Sequence, residues 1–234
     1  MQRLYFKNYN KKIEIENILE ILLSKPMYGQ KYERYIFPFK KEDVKRIKKL
    51  RDRNQKKEIE KYINNKLLYN LANYQKTSLK NLWYPKLEKK FFSTSEKFFN
   101  IKLDNSDNYS AYFTYLQTCA YSEEKNHFFI SLWTSPIYQI NIIIHELLHL
   151  LFIKYYKSSC LKELSEKQFE HLKEALTFIL NEDLYKNIRL ADDLGYPKHI
   201  HLRKLLSQQW KKDKNFDKLL KFGINYVQKN LYKY

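Results

Sequence analysis

The chain has 234 residues, 44% hydrophobic and 17% aromatic, which excludes a disordered protein and is enough for one core or two closely packed lobes. Only 3 glycines and 5 prolines argue against an all-β architecture built on tight turns. The formal net charge of +18 would attract nucleic acid, anionic lipid or an acidic polypeptide, but the lysines run along the whole chain rather than forming one tract.

The N-terminal residues, Met1 to Asn8, lack the apolar run of a secretory signal. Two cysteines, Cys119 and Cys160, make neither a disulfide framework nor a thiolate metal site, and they fit a reducing, cytoplasmic setting. In chain order, Ile13 to Leu23 has helical spacing and stops near Ser24-Lys25-Pro26. Lys41 to Asn73 reads as one or two long helices, with Val44, Ile47, Leu50, Ile59, Ile63, Leu67 and Leu71 along one stripe. Leu79 to Phe99 continues as an aromatic-rich helix. This helical region, 1–104, carries no recognisable chemistry.

A turn-prone polar cluster, Asp104 to Asn108, opens the second region, 105–234. Tyr109 to Tyr121 and His127 to Trp133 are aromatic and β-branched, and their spacing predicts an antiparallel β-hairpin. Thr134-Ser135-Pro136 then supplies an N-cap and a first-turn proline, predicting a helix of about five turns to Tyr156. Its apolar stretch, Ile137 to Ile153, also holds two His, a Glu, an Asn and a Gln, which makes it a poor membrane span. One helix is expected over Leu161 to Tyr185, a turn near Asp192 to Pro197, and two short helices at the end. The expected class is α+β, predominantly helical.

Inside the apolar helix lies His145-Glu146-Leu147-Leu148-His149, an H-E-x-x-H match. On a helix, positions i and i+4 put both imidazoles on one face, where two nitrogens can bind one Zn²⁺. Glu146, beside the first ligand, can take a proton from the attacking water and pass it to the leaving amine. Ile140, Ile143, Ile144, Leu148, Leu151 and Phe152 make the helix apolar all round, so it is expected to be buried. Three titratable groups there are costly without a partner, and a cation satisfies them together.

This motif helix, preceded by an aromatic strand, resembles that of the zincin metallopeptidases. The resemblance implies hydrolysis of a peptide or protein substrate with zinc as cofactor, and a substrate-binding antiparallel edge strand at His127 to Trp133. Phe152 and Tyr155 stand where the metzincin pattern needs Gly and His, so that branch is excluded. The gluzincin branch takes its third ligand, a Glu, from a second helix. Glu163, Glu166 and Glu170 lie in a highly charged stretch, whereas Glu174 opens the apolar run Ala175 to Leu180 and is the expected ligand. Glu170 and His171 are the alternatives to it. Asn181 and Thr177 are candidates to orient a ligand. The resemblance also implies an oxyanion donor after the glutamate, and Tyr196, His199 and His201 all qualify.

The competing reading is a non-catalytic protein that keeps a zinc site on a zincin scaffold and associates with nucleic acid or another acidic partner. The +18 charge motivates it. The intact Glu146 speaks against it, because a purely structural site has no use for that carboxylate.

Overall fold

The computed structural model describes residues 3–24 and 36–230; the expected helix stop at Lys25-Pro26 lies outside them. The protein is mostly helical with one small mixed sheet, an α+β architecture. It divides into two compact units that interleave along the chain: Gln2–Trp83 with Asn108–Gln139, and Tyr84–Asp107 with Ile140–Tyr234. The change of unit after Asp107 falls in the polar cluster that opens the second region, but the strands that follow group with the N-terminal helices.

The first unit contains β1 (Leu4–Phe6), α1 (Lys11–Leu23), α2 (Lys41–Lys48), α3 (Asp52–Glu60), α4 (Asn65–Leu82), β2 (Tyr109–Thr114), β3 (Tyr121–Ser122) and β4 (His127–Ser131). Asn10 starts α1 by accepting from the Lys12 and Ile13 amides, and Ile15, Ile18 and Leu22 are buried on the helix. The stretch expected as one or two long helices is three, broken at Lys49 and Lys61. The sheet order is β1-β2-β4-β3. Contrary to the expected hairpin, β2 and β4 run parallel, with Ala111 opposite Phe128 and Phe113 opposite Ile130. The antiparallel partner of β4 is the two-residue β3. β4 is thus flanked on both sides rather than standing as an antiparallel edge. Alternation in β2 buries Tyr109, Ala111 and Phe113, while β4 is buried from Phe128 onward.

The second unit contains α5 (Glu88–Phe99), most of α6 (Pro136–Cys160), α7 (Glu166–Leu176), α8 (Ile200–Asp213) and α9 (Phe216–Asn230). Pro85 precedes α5 in a short π turn, Trp83–Leu87, so the predicted Leu79–Phe99 helix is interrupted there. α6 carries the H-E-x-x-H motif, and Ile140, Ile143, Ile144, Leu147, Leu148 and Leu151 are buried on it. It is also the one described helix long and apolar enough to cross a membrane, with 67% of its apolar window covered by the protein itself. Its second half packs Phe152 against Phe169 of α7 and near Phe99 of α5.

A Ser165–Gln168 capping box starts α7. The single helix expected over Leu161 to Tyr185 is shorter than that. After Leu176 the chain tightens into 3-10 turns, Thr177–Asn181 and Asp183–Tyr185, as the Thr177 hydroxyl bonds back to the Glu174 carbonyl at 2.9 Å. Gly223 lets α9 approach α7 closely: a Cβ there would stand 2.6 Å from the Leu172 side chain.

Candidate metal centre

α6 presents His145 and His149 one turn apart, their ring centroids 4.4 Å from each other. From α7, Glu174 points one carboxylate oxygen at them: Oε2 lies 3.3 Å from His149 Nε2 and 4.0 Å from His145 Nε2. The three ligand atoms fall within 4.8 Å of one another, a group able to hold a metal ion. Two bonds of roughly 2.0–2.1 Å in a tetrahedron place their outer atoms about 3.3 Å apart, so the spacing suits a cation between these groups. The donor set, two imidazoles and one carboxylate, suits it chemically as well. Glu163, Glu166, Glu170 and His171 do not join this group.

The His145 ring is held from behind. Its Nδ1 lies 3.0 Å from Oδ1 of Asp193, a contact that favours a proton on Nδ1 and would leave Nε2 as the nitrogen to lose its proton to a bound cation. Asp193 sits on an irregular loop fixed at several points. Asn181 accepts from the Asp193 amide and donates to its carbonyl, both at 2.8 Å. Arg203 of α8 pairs with the Asp193 carboxylate at 2.9 Å, donates to its carbonyl at 2.7 Å, and donates to the Thr177 hydroxyl. One turn before His145, Asn141 accepts from the Leu190 and Ala191 amides at 2.9 and 3.2 Å. Gly195 completes the loop at φ 62, and a Cβ there would press within 2.8 Å of the Arg203 guanidinium. Asn181 and Thr177 thus act on Asp193 and Arg203 rather than on a ligand directly.

Burial and charge divide the titratable groups sharply. Burial works against the Glu174 carboxylate, but His149, Lys173 and His145 outweigh it and hold the group far below the usual carboxylate range. Asp193 is likewise held low against burial, through His145 and Arg203. Burial opposes a charged His145, yet Asp193 carries it up to about 9. Burial pushes His149 down to about 4, with Glu174 only partly offsetting it. Burial raises the Glu146 carboxyl to about 7; His145 opposes the rise and Glu174 adds to it. A bound cation would lower every carboxyl here further.

The three expected oxyanion donors part company. His199 is buried, its Nε2 2.8 Å from Nδ1 of the equally buried His171, and burial takes it down to about 4 although Glu174 pulls the other way. Tyr196 stands with its ring 6.0 Å from that of His199. His201 is exposed and lies against Tyr226.

Sequence reasoning missed Asp193, which follows His145 by 48 residues on a loop with no periodic signal. The Asp192 to Pro197 turn was visible, but nothing in its spacing pointed back to α6. Compared with known proteins, the chain matches no family model, no curated protein and no solved structure.

Proposed function

We propose that the chain is a zinc-dependent peptide-bond hydrolase of the zincin type, gluzincin-like in its ligand set, acting on a peptide or protein substrate in the cytoplasm. The observation that carries this reading is the convergence of His145 Nε2, His149 Nε2 and Glu174 Oε2, with Glu146 adjacent on the same helix. These three side chains would hold Zn²⁺, which when bound polarises a carbonyl and makes water a nucleophile at neutral pH.

The protein's own groups do the rest. Glu146 accepts a proton from the attacking water and returns it to the amide nitrogen as the peptide bond breaks, ending in its starting state. Asp193 keeps the proton of His145 on Nδ1, so that Nε2 stays available to the metal. His199, buried and in the field of Glu174, is the residue we assign to the developing oxyanion; exposed His201 is assigned no role.

The test is hydrolysis of a mixed unfolded-protein substrate by the zinc-loaded chain, by the chelated chain, and by Glu146→Gln. Cleavage should vanish on chelation and return with zinc. Glu146→Gln should keep its zinc and lose about 10²–10⁴-fold in rate. Undiminished cleavage by a zinc-loaded Glu146→Gln protein contradicts the proposal.

A further inference from the structure

Lys173 is the unexpected member of α7. It lies three residues beyond Glu170, the end of the charged stretch, yet only 1% of it is exposed. A lysine is almost never buried to that degree unless its ammonium is paired. Two carboxylates pair it: Glu170 Oε2 at 2.6 Å, one turn earlier, and Glu174 Oε1 at 3.4 Å.

The two oxygens of Glu174 therefore have different partners. Oε2 faces the imidazoles of His145 and His149, and Oε1 faces an ammonium. This matters because a carboxylate beside a cation can bind through one oxygen or through both. In a site shielded from water, an oxygen left without a donor turns onto the cation, since burying it unsatisfied is costly. That would fill a coordination position that a hydrolytic site must keep open for water. A donor on Oε1 prevents it. A buried ammonium brings its own difficulty, because its positive charge repels a divalent cation. Glu170, with its side chain 35% exposed, pairs with the ammonium at 2.6 Å and offsets that charge.

We propose that Lys173 is a positioning residue that restrains Glu174 to one-oxygen ligation, with Glu170 neutralising the ammonium. The proposal rests on the metal reading above and gives Glu170, the runner-up ligand of the sequence analysis, a different task. Lys173 need not touch substrate or metal.

The experiment uses the full chain loaded with Co²⁺, whose visible absorption is stronger and shifted in four-coordinate than in five-coordinate sites, and Zn²⁺ competition against a chromophoric chelator. Lys173→Met should weaken the visible band and shift it toward the five-coordinate form. Lys173→Arg, which keeps a charged donor, should restore the wild-type spectrum; a merely space-filling role would not distinguish the two. Glu170→Gln should keep the wild-type band and weaken Zn²⁺ binding by roughly 10-fold or more. It provides the test even if Lys173→Met does not fold. A Lys173→Met spectrum identical to wild type, or a Glu170→Gln protein with unchanged Zn²⁺ affinity, overturns the proposal while leaving the metal reading standing. A wild-type chain that binds neither Co²⁺ nor Zn²⁺ would instead remove the metal reading itself.

Discussion

Glu174 in α7 and Glu14 in α1 are both buried carboxylates, 6% and 1% exposed, and the protein treats them in opposite ways. Glu174 meets two imidazoles and an ammonium, and its carboxyl is held far below the ordinary range despite burial. Glu14 meets no cation among the described residues. Burial pushes it up to about 7, although its Oε1 accepts from the Tyr115 amide at 2.6 Å and the Thr114 hydroxyl at 3.2 Å. Its Oε2 and the buried Tyr9 hydroxyl have no hydrogen-bond partner among the described residues. Burial alone makes a carboxyl neutral; keeping one charged inside a protein takes cations, and the charged His145 and Lys173 supply them to Glu174. That is why Glu174 is a candidate ligand and Glu14 is not.

Glu14→Gln gives the broadest check on this contrast. With a folded value near 7 against an ordinary 4.5, Glu14 is protonated in both states at pH 4 and costs nothing there. As pH rises, the unfolded chain releases its proton first, so stability falls between these values and stays reduced above pH 7. The Gln variant should match wild type at pH 4 and exceed it by about 3 kcal/mol at pH 8, read from denaturant unfolding at both pH values. An equal difference at the two pH values would mean that Glu14 is ionised in the folded protein.

In the other region, Asp193→Asn keeps an acceptor near His145 Nδ1 but removes the charge. Zinc affinity should fall by about 10-fold or more, measured by chelator competition. Unchanged affinity would separate the 190–200 loop from the centre. The smallest effect belongs to Tyr9→Phe, which deletes a buried hydroxyl without a partner among the described residues and should raise stability by roughly 1 kcal/mol. A loss of that size would reveal a partner for the hydroxyl, such as a bound water.

The sequence made the local features legible. The H-E-x-x-H spacing, the apolar wrapping of α6 and the apolar run after Glu174 are all local in the chain, and the structure brings His145, His149 and Glu174 together. Features set by the tertiary fold were not legible. Asp193 reaches His145 only because Asn141, Asn181 and Arg203 hold an irregular loop against α6. Nothing in the local sequence marks Lys173 or Glu14 as buried. The parallel pairing of β2 and β4 was hidden for another reason: two aromatic runs with a short polar gap also fit a hairpin, and nothing in that pattern marks β3 as the true antiparallel partner.

The most direct measurement is elemental analysis of the purified wild-type, His149→Ala and Glu174→Ala proteins. About one zinc per wild-type chain, lost or sharply reduced in both variants, is the expected result for a three-ligand centre. A folded wild-type chain that carries no metal and takes up none when zinc is supplied would contradict it.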